Sequence, residues 1–454
     1  MKLQLAVALS ALLGLLPPDV HGSVAAEKFP LRSGAAEGVT QHVVANLEVG
    51  GHLKVSGDKD KKSNEIPMSV VAQFSYDEQR VDDGKAAGHR LSIRCYEDAQ
   101  AVIKIAENVV KPQLRKNRRL IAATAGKDNG YLASAEGALT REELDLIDIP
   151  GNTLLLDTLL PGDDVEKGYR WKPSDSALAE LLGLDAVGHS EVECVLVDVA
   201  NSVAEITLEG TLGGAIHGVS SDMELKGKLL FNLDQKLFKS VVFAIKEQRG
   251  IGNVGPGLDV VAKLKLAIQL VDESKLLTSS VLQNAKLPTS DEAPALEYVS
   301  TAKGYRFQYD RRWHITREEP DLVVMRFVDR GDLIAQCNVA PSSKALEKAV
   351  DLAQFQNDVQ TALGKLFGNF ERASERTTDS GLRILSSIAA GSAHELSIQW
   401  RYYLAHDRQG RGLGVIFTME QPLVKQFNDN DKPIVESIEF LEPKVASKPV
   451  DAAN

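Results

Sequence analysis

The feature that most limits the fold of this chain is a series of segments between residues 190 and 271 in which apolar and polar residues alternate. In the last of them, Leu264 and Leu266 alternate with Lys263 and Lys265. Because successive side chains of a β-strand point to opposite faces, this period of two predicts strands with one apolar and one solvated face. Consecutive segments of this kind, joined by short turns, predict an antiparallel meander.

The N-terminal half contains further strand patterns. Residues 40–56 and 68–81 show the same alternation, less regularly, and each predicts a strand. The segment 89–110 begins as a strand, whereas its second half fits either a strand or a helix. The sheet is therefore expected to begin well before the meander.

Two short helices are predicted between these strand regions. Thr140 and Glu143 have the S/T-x-x-E spacing of a capping box, in which each side chain satisfies a backbone N–H group of the other. The segment 173–184 predicts the second helix, with Ser174 or Asp175 as its N-cap.

Past the meander the pattern changes. Residues 272–294 lack periodicity and contain Ser, Thr and Pro, which indicates a linker. Strands are then expected on both sides of a long amphipathic helix that begins at Pro341, in which Val350, Phe355 and Val359 recur at helical spacing.

These patterns together predict an α+β protein. An N-terminal antiparallel, curved β-meander domain with short helices is followed by a smaller α+β sandwich domain. The predicted divisions are a signal peptide (1–26), the β-rich meander domain (27–271), the linker (272–294), the α+β domain (295–442) and a flexible tail (443–454).

The N-terminus predicts export. Lys2 precedes an uncharged, mostly apolar run from Leu3 to Leu16, and small residues follow where a signal peptidase cuts. We expect cleavage after Ala26 or, one residue earlier, after Ala25. The apolar run is shorter than the ~20 residues that span a bilayer. The mature protein is therefore expected to be periplasmic or extracellular, without a transmembrane span.

The three cysteines allow two interpretations of their bonding state. The sequence contains Cys95, Cys194 and Cys337, an odd number that cannot pair completely within one chain. Either Cys95 and Cys194 form a disulfide, or all three are free thiols that pack as small apolar side chains. The sequence favours the second reading, because a chain of this length does not need disulfides to bury a core.

The charge distribution argues against one class of partner. The formal net charge is −11, and an acidic protein repels polyphosphate, so we expect no nucleic-acid partner. One basic run, at 111–119, either contacts an anionic surface or forms a solvated loop. Its basic residues are Lys111, Arg115, Lys116, Arg118 and Arg119.

A glycine motif resembles a dinucleotide-binding loop, but the sequence around it does not fit one. Gly250, Gly252 and Gly255 have the G-x-G-x-x-G spacing, and Asp272 lies at the offset of a ribose-binding acid. That motif must open a helix, whereas Pro256 follows the third glycine and period-two alternation comes next. The segment therefore predicts a hairpin loop, and no cofactor is expected.

Other catalytic and metal patterns are missing from the sequence. No two of the nine histidines are spaced i, i+2 or i, i+4, and no G-x-S-x-G nucleophile motif occurs. We therefore expect no metal. Catalysis stays uncertain, because catalytic groups need only meet in space, but a non-enzyme is favoured.

Two stretches resemble known families. The sequence Y-x-F-x-Y-D-x-x-W at 305–313, followed by a mid-chain helix and a terminal helix, resembles the opening of the PsbP-type α+β sandwich. That resemblance implies an accessory or binding module over about 145 residues and does not imply photosynthesis. The meander, with "LLPGDDVEKGYRW" at 159–171, is similar to curved sheets of lipoprotein-carrier type in uncharacterised exported bacterial proteins.

Two functions are consistent with these observations. The favoured one is an exported, non-catalytic cell-envelope protein that binds an apolar ligand or a protein partner. The alternative is an exported hydrolase whose site is assembled from residues distant in the sequence.

Overall fold

Most of the described chain is β-strand. The structure is a computed structural model, and it describes residues 27–34, 38–56, 64–81, 90–126, 130–287, 293–342 and 350–442. The predicted signal peptide with its cleavage site at Ala26, and the predicted tail 443–454, lie outside these residues. Within them, four antiparallel sheets of two, thirteen, three and seven strands account for the strands.

The thirteen-stranded sheet, called the large sheet below, dominates the N-terminal half. The two-stranded sheet pairs β1 (Lys28–Pro30) with β8 (Asp164–Glu166). The strands of the large sheet are β2 (Thr40–Val55), β3 (Asn64–Val81), β4 (Arg90–Ile105), β5 (Asn108–Val110), β6 (Leu120–Ala125), β7 (Leu132–Ser134), β9 (Arg170–Trp171), β10 (Ala186–Ser190), β11 (Glu193–Ala200), β12 (Val203–Ile216), β13 (Val219–Asn232), β14 (Leu237–Arg249) and β15 (Gly257–Val271).

The meander predicted from the alternation is confirmed. Strands β11 to β15 pair in sequence order, each antiparallel to the next. Residues 250–256 connect β14 to β15, so the glycine motif is a hairpin loop as predicted. The whole of β15 pairs with β2, which joins the meander to a second run made by β2, β3, β4, β6 and β7.

The two faces of the large sheet differ as the period of two requires. On the inner face, Leu264 and Leu266 are buried in the main hydrophobic core. On the outer face, cross-strand ion pairs form between neighbouring strands, such as Lys226 Nζ with Glu209 Oε1 at 2.7 Å. The segment 89–110, ambiguous in the sequence, is strand throughout β4 and β5.

Short helices cover the inner face. They are α1 (Arg141–Ile147), a 3-10 helix (Thr153–Leu159) and α2 (Asp175–Leu182). The predicted capping box is present, since Glu143 N donates to Thr140 Oγ1 and Thr140 N donates to the Glu143 carboxylate. Ser174, one of the two predicted caps, accepts from Ala177 N at the start of α2.

The C-terminal half is built around the seven-stranded sheet, called the small sheet. Its strands are β18 (Trp313–Glu319), β19 (Leu322–Asp329), β20 (Asp332–Pro341), β21 (Phe367–Thr377), β22 (Arg383–Ala393), β23 (Leu396–His406) and β24 (Gly412–Glu420). The three-stranded sheet contains β16 (Leu296–Ser300), β17 (Tyr305–Tyr309) and β25 (Glu439–Phe440). The remaining helices are α3 (Ser279–Asn284), α4 (Leu352–Leu363), α5 (Val424–Phe427) and α6 (Lys432–Glu436).

Two features of this half differ from the sequence prediction. Helix α4 begins at Leu352 rather than at Pro341, because the Asp351 carboxylate caps it by accepting from Gln354 N at 2.8 Å. The segment predicted as a linker is partly structured: it contains α3, Leu277 is 4% exposed, and the Ser274 hydroxyl donates to Asp77. The stretch therefore packs on the large sheet as well as connecting the two halves.

The two halves share one hydrophobic core cluster, which contains residues of the large sheet, of the small sheet and of β16 and β17. Arginine side chains also form hydrogen bonds between the two halves. Arg141 of α1 donates to Arg311 O at 2.6 Å, and Arg311 donates to Leu132 O at 2.7 Å. No helix in the described residues has the length and apolar character needed to cross a membrane.

Candidate functional site

The inner face of the large sheet changes character along the strands β2, β3 and β4. At one end, the closed end, Phe74, Tyr76 and Tyr96 fill the space beneath the helices and are buried. At the other, the open end, the same strands carry Ala72 and Ala101, which pair directly across the sheet. Smaller side chains leave room beneath α1, and this difference in size creates a groove.

The closed end contains a buried polar cluster, which we call the Glu78 cluster. Arg94 Nε donates to Glu78 Oε1 at 2.8 Å, and Ser92 Oγ donates to the same oxygen at 2.7 Å. Thr153 Oγ1, from the 3-10 helix, donates to Glu78 Oε2 at 2.6 Å, and Arg94 also donates to Asn152 Oδ1. The side chains of Glu78 and Arg94 are only 2% and 4% exposed.

The electrostatics of this cluster favour the charged carboxylate. Burial by itself would raise the pKa of Glu78, but the Arg94 charge and the hydrogen bonds from Thr153 and Ser92 outweigh it, and the net shift is downward. Burial raises the pKa of the neighbouring Tyr76. The cluster is closed by its own hydrogen bonds, so it holds the 3-10 helix against the sheet rather than offering a site.

The open end forms the apolar groove, with a volume of about 450 Å³. Its floor consists of two successive cross-strand rows, and its sides are the segment after β4 and helix α1. The lining residues are Leu47, Val70, Ala72, Ala101, Ile103, Val110, Lys111, Pro112, Glu142, Asp145, Leu146 and Ile149. Apart from three charged residues, every side chain that lines the groove is apolar.

Those three charged residues come from two different elements that line the apolar groove. Lys111 follows β5, and Glu142 and Asp145 belong to α1. The Asp145 side chain is 63% exposed, and partial desolvation by the protein that lines the groove raises its pKa to about 6. The groove thus combines an apolar interior with charges of both signs at its mouth.

A second, polar cleft lies between α2 and the edge of the large sheet, with a volume of about 810 Å³. Its lining includes the carboxylates of Asp148, Asp175, Glu180, Asp185 and Glu247. The one arginine in the lining, Arg249, pairs with Glu247 at 3.4 Å. Among the described residues that line this cleft there is no His and no Cys.

The basic run at 111–119 is divided by the structure. Arg115 donates from Nε and Nη2 to the Glu143 carboxylate, each at 2.6 Å, and its Nη1 lies 2.7 Å from Glu297 Oε1. Arg118 and Arg119 donate to the backbone carbonyls of Ala138 and Glu97. Most of the guanidinium groups are therefore occupied within the protein.

The two lysines of the run are placed differently. Lys116 begins a 3-10 turn and is exposed, and Lys111 is exposed at the mouth of the apolar groove. Contact of the run with an anionic surface stays a prediction, and these two lysines are the members with their ammonium groups in solvent.

The three cysteines are free thiols, as the sequence favoured. Cys194 and Cys337 are buried, and Cys95 is half-buried. Desolvation raises the pKa of the Cys194 thiol to about 12 and also raises that of Cys95, so both favour the unreactive protonated form.

Two histidines meet where the two halves touch. The rings of His217 and His314 pack edge to face with centroids 4.6 Å apart. Burial lowers the pKa of both, that of His314 to about 3. Among the described residues, no group of three or more His, Cys, Asp or Glu is arranged to hold a metal ion.

The structure also places the remaining sequence candidates. Trp313 is fully buried and Trp400 is 6% exposed, as expected for core anchors. Trp171 is half-buried, and its Nε1 donates to Leu159 O at 2.8 Å. None of these tryptophans lines the apolar groove.

Neither the Glu78 cluster nor the apolar groove was recognised in the sequence. Glu78 and Arg94 are charged residues within strand patterns, which usually indicates a solvated face. A usable signal was present for the groove: in the strand patterns of β3 and β4, alanines at 72 and 101 interrupt rows of larger apolar residues.

Comparisons with known proteins give distant likenesses only. No family model and no curated protein matches the sequence. Among solved structures, the chain is similar to cyanobacterial PsbP (CyanoP) from Synechocystis sp. PCC 6803, with 17% identity and a TM-score of 0.26 over 34% of this chain and 96% of that one.

Two other solved structures are similar to the chain at lower identity. A structure of lipid–protein interactions in lipovitellin has 8% identity and a TM-score of 0.28 over 54% of this chain, which spans only 26% of the lipovitellin chain. The translocator domain of the autotransporter NalP from Neisseria meningitidis has 7% identity and a TM-score of 0.13, over 84% of this chain and 88% of that one.

Proposed function

We propose that this chain is an exported, non-catalytic envelope protein that binds the apolar chain of an amphiphile in the apolar groove. The observation that carries the proposal is the groove itself: an open, apolar concavity formed where Ala72 and Ala101 replace the aromatic residues of the closed end. Most apolar surface in a protein is covered by its own core, and an uncovered apolar concavity is the usual form of a small-molecule site.

The size of the groove agrees with such a ligand. A volume of about 450 Å³ lies within the roughly 300–1,000 Å³ of ligand pockets. Burying about ten methylene groups would gain about 8 kcal/mol, and association costs at least about 4 kcal/mol. The remainder, at most about 4 kcal/mol, corresponds to a dissociation constant of about one millimolar at the tightest, which is weak and reversible binding.

The N-terminal sequence supports an envelope location for this function. A charged start, an apolar run and small residues before Ala26 are the pattern of a cleaved export signal. N-terminal sequencing of protein from its native envelope should therefore begin at Glu27, or at Ala26 if cleavage occurs one residue earlier.

A fluorescence experiment tests the binding proposal. The neutral dye N-phenyl-1-naphthylamine should brighten on binding the purified protein, and a neutral dodecyl amphiphile should displace it. Ala101→Leu adds bulk to the floor of the groove and should weaken dye binding at least tenfold, because overpacking excludes the ligand.

Val102→Leu is the matched control, since Val102 is the next residue on β4, is 45% exposed and faces the opposite side of the sheet. It should bind dye as the unmodified protein does. Equal binding by both variants, or no saturable binding by the unmodified protein, would refute the proposal.

A further inference from the structure

We propose that the amphiphile of the apolar groove carries a zwitterionic head group, in which an anionic phosphate lies toward Lys111 and a cationic ammonium lies toward Glu142 and Asp145. This inference rests on the function proposed above. It comes from the placement of charge: one cation from the segment after β5 and two carboxylates from α1 line an otherwise apolar groove.

The cationic side is the segment that follows β5. Lys111 is exposed beside Pro112, and both residues line the groove. Within the described part of the chain, the Lys111 ammonium has no ion-pair or hydrogen-bond partner. A compact ammonium on a flexible stem suits a phosphate, to which it binds as a point charge.

The anionic side is helix α1. Glu142 and Asp145 are three residues apart, a spacing that places both side chains on one face of the helix. Asp145 Oδ1 forms an ion pair with Arg141 Nη1 at 3.7 Å, one turn away on the same helix. Glu142 is exposed and has no ion pair among the described residues. Two carboxylates that share this one cation keep a net negative charge, which favours a further cation.

A head group with a single charge fits this mouth less well. A fatty-acid carboxylate would pair with Lys111 but would share the groove with two like charges. An alkylammonium would pair with the carboxylates and leave Lys111 facing a cation. A head group with both signs satisfies the two sides together, which is the arrangement that electrostatic complementarity selects.

The titration of Asp145 supplies a second readout. Desolvation raises its pKa to about 6, and the groups that interact with it are Arg141, Asp148, Glu142 and Tyr309, while Lys111 lines the same groove. The carboxylate is charged at pH 7.5 and mostly protonated at pH 5. Affinity for an ammonium-bearing amphiphile should therefore fall over this range, and that for an uncharged one should not.

The test compares amphiphiles with one chain length and different head groups. Displacement of N-phenyl-1-naphthylamine is measured at pH 7.5, below micelle-forming concentrations, with dodecylphosphocholine, dodecyltrimethylammonium, dodecanoate and dodecyl maltoside. Dodecylphosphocholine should bind tightest, by about fivefold over the maltoside, because each exposed ion pair contributes up to about fivefold.

Variants assign the two halves of the head group. Lys111→Gln should remove most of the preference for phosphocholine over trimethylammonium, and the double variant Glu142→Gln with Asp145→Asn should remove the preference for phosphocholine over dodecanoate. Maltoside affinity should not change in either. Lys104→Gln and Glu107→Gln, at exposed positions outside the lining of the groove, are the matched controls.

The outcomes separate this inference from the function on which it rests. If all four amphiphiles bind equally, or dodecanoate binds tightest, the zwitterionic head group is wrong and the acyl-binding function stands. If none of the four displaces the dye, the proposed function fails. Unchanged preferences in the variants would overturn the assignment of the charged sides.

Discussion

The two ends of strands β2 to β4 differ in which groups they bury and which they expose. The closed end buries charge: Glu78 and Arg94 are almost inaccessible, yet each is paired and hydrogen-bonded. The open end exposes apolar surface: Val70 and Ile103 are half-buried although they lie on the inner face. Each end inverts the usual rule that polar groups face water and apolar groups do not.

The two inversions have different meanings. A buried charge is tolerated only when its partners surround it, so the Glu78 cluster is complete without any further molecule. An open apolar groove gains nothing from its own neighbours and would gain from a ligand that covers it. One end therefore stabilises the fold, and the other is the candidate site.

The largest effect is expected when the closed end loses its carboxylate. Glu78→Gln leaves the buried Arg94 guanidinium uncompensated, and breaking a buried pair in this way destabilises proteins by about 3–5 kcal/mol. Urea unfolding monitored by tryptophan fluorescence measures the change. Glu209→Gln, which removes an exposed partner of Lys226 on the outer face, is the control and should not shift the midpoint measurably. Equal stability of the two variants would mean that the cluster does not hold the closed end.

The sequence predicted the positions of the strands far better than it predicted the closed and open ends of the inner face. Alternation found β2, β3 and the meander because the period of two is local, and the cap at Thr140 was found because its partner, Glu143, is three residues away. The pairing of β2 with β15 was not predicted, since it joins residues more than two hundred positions apart.

The two ends were not predicted for the same reason. Glu78 meets Thr153 only after a helix from another part of the chain folds over β3, so neither residue carries a local signal. The groove forms because Ala72 and Ala101 lie opposite each other on β3 and β4. The pairing register of the two strands decides this, and a local sequence pattern does not show it. Local patterns specify elements, and the site depends on which elements meet.

A pair of identical truncations gives the next largest effect. Ile121 at the closed end pairs with Arg94 and is fully buried, and Ile103 lines the groove and is half-buried. Ile121→Ala should lower the free energy of unfolding by about 2–5 kcal/mol, because it leaves a cavity. Ile103→Ala should lower it by less than about 1 kcal/mol, because solvent already reaches the site.

Ile121→Ala should have the larger effect on stability, and Ile103→Ala should have the larger effect on dye binding. Ile103→Ala should reduce dye affinity, whereas Ile121→Ala should bind dye normally wherever it is folded. A large loss of stability in Ile103→Ala would show that the open end is part of the core, and the comparison of the ends would fail.

The pH dependence of stability should differ in sign at the two ends. Glu78 has a lowered pKa in the folded state, so its contribution is present at neutral pH and is lost as the pH falls through that pKa. Asp145 has a raised pKa of about 6, so it binds protons more tightly in the folded state, and stability falls as the pH rises from 4 to 6.5.

Asp145→Asn isolates the contribution of the open end to the pH dependence of stability. Because the side chain is largely exposed, the gain in stability at pH 7.5 should be below about 1 kcal/mol, and it should vanish near pH 4. Thermal unfolding at a series of pH values measures it. A variant that is less stable than the unmodified protein at pH 7.5 would contradict the raised pKa.

The smallest effect is expected from the thiol that reports on the closed end. Cys95 follows Arg94 on β4 and is half-buried, whereas Cys194 and Cys337 are buried. Slow alkylation of the native protein by iodoacetamide should modify Cys95 first, since its thiol alone is partly accessible and all three have raised pKa values. Saturating dodecylphosphocholine should change that rate less than twofold, since the ligand covers the other end of the strand. Protection of Cys95 by several-fold would mean that filling the groove tightens the Glu78 cluster, and the two ends would then be coupled parts of one site.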